Sequence, residues 1–266
     1  MNTHALRSVS LEPDRVGVLS NRIVWRVFFR SLLLQASWNP QGMQNLGLAY
    51  ALYPALERLY PDPQQRTDAV RRHLAFFNTH PYVAAAIVGG VLHHEQRVAR
   101  GEETPERVAN FKAALMGPLA ALGDGFFWLS LKPAVGALCA ALVPVLHAWA
   151  AVLFLVLYNS VHFWLRIRLY WLGLTSGDRL VEAVKIANLP KRGARLRAVG
   201  AASAGALAAW LALVFGRNEA GSWAPLLAGG CLVMGAVSYW LVAKRATYYA
   251  VLYLAALLAA VAGAFL

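Results

Sequence analysis

Residues 134–165 read AVGALCAALVPVLHAWAAVLFLVLYNSVHFWL, a single run without Asp, Glu, Lys or Arg. A helix needs about 20 apolar residues to cross a bilayer. This run is longer than one crossing, which predicts a tilted span or one broken near Pro144. Ala198 to Gly216, Ala224 to Ala243 and Ala246 to Leu266 are also free of those four residue types and have the length of a span. With 59% hydrophobic residues, 14% charged residues and a mean hydropathy of +0.48, the chain falls outside the range of an ordinary soluble domain. The expected fold class is all-α. It is a polytopic integral membrane protein with N-terminal interfacial or cytoplasmic helices, a broken or re-entrant helix and about four C-terminal membrane spans.

A net charge of +12 raises nucleic acid as a partner, but the placement of the charge argues against it. Arg166, Arg168, Arg179, Lys185, Lys191, Arg192, Arg195 and Arg197 crowd one loop between apolar runs, against only Asp178 and Glu182. An excess of Lys and Arg marks a cytoplasmic loop. The same rule places Lys244 and Arg245 inside, the nearly neutral stretch from Arg217 to Trp223 outside, and Leu266 on the outer face. The N-terminus is expected in the cytoplasm, and Asn2, Glu12 and Asp14 stand where a secretory signal would need an apolar core. Cys139 and Cys231 both lie in apolar runs and read as packing residues.

Upstream of the apolar runs the pattern is amphipathic. Arg22, Arg26 and Arg30 recur every four residues while Ile23, Val24, Val27, Phe28 and Leu32 fill much of the remaining surface. That pattern suits a helix at the membrane surface, and a partner-binding helix has the same one. Asp62, Pro63 and Gln65 form a helix start, with a cap, a proline in the first helical position and a capping-box partner. This helix is expected to stop at His80, because Pro81 disfavours helical geometry just before it. A second helix is expected from about Tyr82 to Gly101, and a third from Thr104-Pro105. The expected division is an amphipathic and interfacial part, residues 1–112, and a membrane-embedded part, residues 113–266, with the basic loop at 166–197.

Two segments carry the candidate site. Residues 30–47 crowd Gln35, Ser37, Trp38, Asn39, Gln44 and Asn45 between apolar runs. Uncharged amides beside an indole suit a hydroxyl-rich neutral ligand such as a sugar. The same residues also satisfy their own backbone at helix ends, and the segment alone leaves both readings open. Residues 115–133 place breakers at Gly117-Pro118 and at Gly123-Asp124-Gly125. Apolar flanks around two breaks predict a discontinuous helix hinged at Gly117, Pro118, Gly123 and Gly125, of the kind that lines a binding cavity in transporters. Asp124 is either a group on the substrate path or the cap of the next half-helix.

Histidines 73 and 80 read as buried hydrogen-bonded side chains with a possible chemical role, and Asn159 and His162 as cavity or helix-tying residues. His94 and Glu95 are adjacent and so on different helix faces, which does not suit a metal. No phosphate-cradling glycine loop, nucleophile elbow or zinc spacing is present in the sequence, and no cofactor is expected.

Four blocks, in order, resemble the IID membrane subunit of the mannose/fructose/sorbose family of sugar phosphotransferase systems. They are Arg30-Ser31 with Gln35, Ser37, Trp38, Asn39, Met43, Gln44 and Gly47; His73-Leu74 with Phe76-Phe77-Asn78-Thr79-His80-Pro81; Leu115-Met116-Gly117-Pro118-Leu119-Ala120 with Gly123-Asp124 and Phe127-Trp128; and Tyr158-Asn159 with His162 and Gly177. The resemblance covers residues 20–190, with Gly125 where the family usually has proline and Lys132 where arginine is common. It implies a bacterial cytoplasmic-membrane subunit that joins a IIC membrane subunit in the translocation unit. That unit imports a hexose-type sugar with concomitant phosphorylation.

Separate IIA and IIB components would carry the phosphoryl group, so no catalytic residue is assigned here. The expected partners are IIC, IIA and IIB, the sugar and membrane lipids, in a hetero-oligomer. Gln35, Trp38, Asn39, Gln44, Asn78, His80 and Asp124 are the candidate sugar-binding residues. Two alternatives stand beside this reading: a regulatory subunit that kept the fold without transport, and a membrane enzyme using Asp124 and His80 as acid and base.

Overall fold

The computed structural model describes residues 19–180, 182, 188–218, 229, 233 and 237. Its elements are α1 (Asn21–Ser31), α2 (Asn45–Leu59), α3 (Pro63–His73), α4 (Ala84–Ala99), α5 (Pro105–Gly123), a π-helical stretch (Asp124–Leu131), α6 (Lys132–Leu146), α7 (Trp149–Ser176) and α8 (Leu189–Asn218). Among the described residues there is no strand, only isolated bridges joining Asn39 to Met43 and Met43 to Phe77. Two compact units are present, residues 1–136 with 151–198, and residues 137–150 with 199–266. The candidate site lies in the first.

Local chemistry sets the helix starts where the sequence places them. The Asp62 carboxylate accepts the Gln65 N–H at 2.8 Å with Pro63 in the first turn of α3. Thr104 and Pro105 open α5, and Gly101, at φ +73°, follows the end of α4. The end of α3 departs from expectation. The helix stops at His73, because the Leu74 carbonyl that the next turn would use accepts a bond from Asn45 Nδ2 at 2.6 Å. Residues 74–83 are therefore non-helical, apart from turns.

The break expected around residues 117–125 is also corrected. Pro105 to Leu146 forms one helical run of 42 residues, with Pro118 inside α5 and a wider π-helical register from Asp124. Gly123 is required by close packing rather than by a hinge, since a Cβ there would collide with the His80 ring. In the π-helical stretch Ser130 Oγ donates to the Gly125 carbonyl at 2.7 Å and accepts from Arg197 Nη1 at 2.7 Å. The charge-free run 134–165 turns at His147, whose φ is +49°, and Pro144 stays inside α6.

Two helical runs, Pro105–Leu146 and Trp149–Arg179, are long and apolar enough to cross a membrane. The first charge-free run is therefore shared between two helices. Residues 198–216 fall within α8. The two later runs, 224–243 and 246–266, lie outside the described residues except for 229, 233 and 237. The expected division at residue 112 falls inside α5.

Helix α7 is the ruler of the first unit. Tyr170 Oη donates to the Val24 carbonyl at 2.7 Å, and Arg166 Nη2 donates to the Ser31 carbonyl, so α1 runs antiparallel to α7. Helix α4 runs parallel to it. The Tyr82 ring, just before α4, stacks on His162 at 3.7 Å, and His93 bonds the Leu174 carbonyl at 3.0 Å. Between these levels the two backbones nearly touch. A Cβ on Gly89 would strike the Tyr170 carbonyl, and one on Gly173 would strike that of Ala86.

A buried charged cluster fixes the far end of this bundle. Glu95 accepts Arg72 Nε at 2.7 Å and His73 Nε2 at 2.9 Å on one oxygen, and Arg72 Nη2 at 2.8 Å and Tyr60 Oη at 2.6 Å on the other. Lys112 Nζ caps the Arg72 carbonyl at 2.6 Å. Burial alone would raise the Glu95 pKa, but the hydrogen bonds and charges of Arg72 and His73 hold it at about 2. Its stabilisation is therefore full above the ordinary value of 4.5 and fades as the pH falls from there through about 2.

Glu95→Gln should cost about 2–4 kcal/mol, since it leaves the partly buried Arg72 without its counter-charge. Thermal unfolding of the purified protein in detergent measures this, and a variant melting with wild type would show the network to be dispensable.

Candidate functional site

The non-helical segments 35–44 and 74–83 meet and are stitched together by backbone and amide groups. Gln44 N–H donates to the Phe77 carbonyl at 2.9 Å and Phe77 N–H to the Gly42 carbonyl at 3.3 Å. The Gln44 side chain then pairs with the Thr79 backbone, donating to its carbonyl at 2.8 Å and accepting its N–H at 3.1 Å. Asn39 closes the first loop: its Oδ1 accepts the Gly42 N–H at 2.7 Å and its Nδ2 donates to Asn45 Oδ1 at 3.0 Å. Met43, at φ +58°, makes the tight reversal. Thr79 Oγ1 reaches the Met116 carbonyl at 3.0 Å and so ties the junction to α5.

Beyond Thr79 the chain enters an aromatic and imidazole cluster. The His80 ring lies parallel to Phe127 at 5.2 Å and 4.8 Å from Trp128, and its Nδ1 accepts the Tyr82 N–H at 3.3 Å. Tyr82 spans the gap to α7, stacking on His162 at 3.7 Å with Tyr158 6.4 Å away. Arg166 lies one helical turn beyond His162 on α7. His80, His162 and Arg166 are 2%, 7% and 4% exposed, and His80 Nε2, both His162 nitrogens and Arg166 Nε meet no protein partner among the described residues. Buried polar groups normally have partners, so these unpaired nitrogens among aromatic faces mark the cluster as the candidate site.

A profile of the PTS system mannose/fructose/sorbose family IID component matches residues 18–215. The chain belongs to that family. The mannose-specific EIID component of Escherichia coli (strain K12) is 44% identical over 137 residues, which are 51% of this chain and 48% of that protein. The sorbose-specific EIID component of Klebsiella pneumoniae is 37% identical over 154 residues, 58% of this chain and 55% of that protein. The chain thus spans about half the length of the curated relatives it matches. Among solved structures, a mannose transporter ManYZ in complex with a microcin aligns at a TM-score of 0.58 and 29% identity, covering 92% of this chain and 96% of that one. A second, described as a membrane protein, aligns at 0.67 and 30%, with the same coverage.

In this IID chain the sequence-derived candidates divide by environment. Asn39 and Gln44 form the loop junction, and His80 joins the aromatic cluster. Asn78 lies exposed beside the junction, and Gln35 and Trp38 are exposed on the first loop, Trp38 at 54%. Half-buried Asp124 follows Gly123, which packs on His80; among the described residues its carboxylate has no hydrogen bond or ion pair. Asn159 donates to its own helix at Leu155, 2.8 Å away, rather than tying two helices. Tyr82, Phe127, Tyr158 and Arg166 carry the cluster without having been singled out for it. The spacing Tyr158, His162, Arg166, one residue per turn along α7, is the signal that points to them.

Gln44→Leu should cost about 1–3 kcal/mol, because it strips partners from both the Thr79 N–H and its carbonyl. A fall in melting temperature together with faster amide exchange at Thr79 is the expected result, and unchanged exchange would locate the closure elsewhere.

Proposed function

We propose that this chain is the IID subunit of a bacterial sugar phosphotransferase system. With a IIC partner it forms the unit that carries a hexose-type sugar across the cytoplasmic membrane as it is phosphorylated. The phosphoryl group comes from IIA and IIB components, and this chain supplies no nucleophile. Its task is to bind and position. The mannose, sorbose and fructose named for its relatives supply the substrate class, and the ManYZ likeness supports a hetero-oligomer.

One observation carries the reading. The second non-helical segment, which the first meets at Phe77 and Thr79, reaches α7 through Tyr82, whose ring stacks on His162 and lies 6.4 Å from Tyr158. Those residues belong to α7, which is long and apolar enough to cross the hydrocarbon core of a membrane. Non-helical backbone is tolerated within such a core only where it is buried in protein or lines a cavity, which is where transporters bind substrate. Asn39, Gln44, Asn78, His80 and Asp124 all belong to these segments or to the helix packed on them, with Gln35 and Trp38 at the loop edge. A sugar that gains a phosphate becomes charged and cannot leak back through hydrocarbon.

Asp124→Asn discriminates a sugar-path carboxylate from a structural one. The amide fills the same volume, so co-expression with a cognate IIC protein should still give a complex, while uptake falls about ten- to a hundred-fold, the equivalent of roughly 1.5–3 kcal/mol for a charged acceptor. Full uptake would remove Asp124 from the path.

The orientation we propose rests on the excess of Lys and Arg over residues 166–197. In the structure these include the end of α7 and the start of α8 rather than a loop alone. An inside excess would put this segment and the N-terminus in the cytoplasm. A cysteine introduced at Ser176 in intact cells should resist an impermeant thiol reagent and react after permeabilisation. Strong labelling of intact cells would reverse the orientation.

A further inference from the structure

We infer that His162 and Arg166 of α7, together with His80, are sugar-contacting residues whose unpaired nitrogens hold hydroxyl groups of a neutral sugar. This rests on the sugar-transport reading above and names side chains of the first unit that the family match does not assign.

The bonding pattern specifies the ligand. The Tyr82 N–H donates to His80 Nδ1, so that nitrogen carries the lone pair and the proton of the neutral ring sits on Nε2. His80 Nε2–H is thus a buried donor without a protein acceptor. Arg166 spends Nη2 on the Ser31 carbonyl and leaves Nε–H as a second such donor. His162 pairs neither nitrogen. A neutral imidazole presents one N–H and one lone pair, so its complement must both accept and donate. A hydroxyl does both; a dianionic phosphoryl group offers only acceptors and would leave the lone pair unmet. A cationic ligand would face the Arg166 guanidinium. Trp128, 4.8 Å from His80 and 49% exposed, adds a ring face on which the C–H side of a sugar can lie.

The helices explain why these groups stay in place without a ligand. His162 is clamped between Tyr82 at 3.7 Å and Phe163 at 4.7 Å, and His80 between Phe127 and Tyr82. The rings are therefore positioned by stacking, while His80 Nε2 and both His162 nitrogens are left without a protein partner among the described residues.

The test uses the complex with its IIC partner in lipid nanodiscs, with mannose, fructose and sorbose as probes. His162→Phe keeps a flat ring against Tyr82 while removing both nitrogens. It should assemble normally and bind the preferred sugar about ten- to a hundred-fold more weakly, as expected for lost hydrogen bonds in a buried site. Arg166→Lys, which keeps the charge but loses Nε–H, should weaken binding in the same direction. Wild-type affinity in His162→Phe would overturn the inference while leaving sugar transport intact. A wild-type complex that neither binds nor imports any of the three sugars would instead overturn the transport reading, and this inference with it. If His162→Phe fails to assemble, ring-nitrogen NMR of isotope-labelled histidine in the wild-type complex decides. A shift of histidine signals on adding sugar supports the contact, and a spectrum in which none moves refutes it.

Discussion

The side-chain amide of Gln44, paired with both backbone groups of Thr79, is the constraint on which the rest of the first unit depends. A chain that leaves helical geometry inside an apolar bundle exposes peptide groups that have no water to turn to, and each unpaired group is costly. Gln44 solves this for Thr79 and Asn39 for Gly42. With those groups satisfied, residues 74–83 can remain unwound and carry His80 to the face of α5. Gly123 must then lack a side chain, because His80 occupies its place. The shape of one loop thus propagates, through a single close contact, to the composition of a helix forty residues away in the chain.

The polar groups of the bundle are sorted along its length. At the level of Leu174 and beyond, carboxylates pair with arginines and histidines: Glu95 with Arg72 and His73, Glu103 with His94 and Arg97, Asp178 with Arg107. At the level of Tyr158 and His162 the polar groups in contact are imidazoles and phenols, with Arg166 at the boundary. Ion pairs rigidify one end and uncharged hydrogen-bonding groups furnish the other. That division suits a substrate that is neutral when it enters. The glycine contacts of Gly89 and Gly173 bring α4 close against α7 between the two ends, and the cluster and the ion-pair network belong to one compact unit.

Much of the architecture was legible because it follows from local chemistry. Asp62-Pro63 and Thr104-Pro105 start helices, Gly101 follows a helix end, and the charge-free run 134–165 was legible as helical, though it is divided between α6 and α7. The amide-rich segment was legible as special, but not as a junction. Its partners at Phe77 and Thr79 are over thirty residues away, and spacing says nothing about such pairs. The end of α3 was misplaced for the same reason: the Leu74 carbonyl is taken by Asn45, a competitor from another segment.

Composition, hydropathy and motif order alone determined that the chain is helical and membrane-associated and that it resembles the IID family, because each depends only on residue types and their local succession. Tertiary structure alone decided that Gly117-Pro118 and Gly123-Asp124-Gly125 lie within a continuous helical run. Glycine permits a break but also permits close approach, and only the neighbour, here the His80 ring, determines which use is made of it. It also decided that His80, Tyr82, His162 and Arg166 share one buried cluster, since their meeting depends on how α4 and α7 cross, a relation between helices that no local pattern encodes.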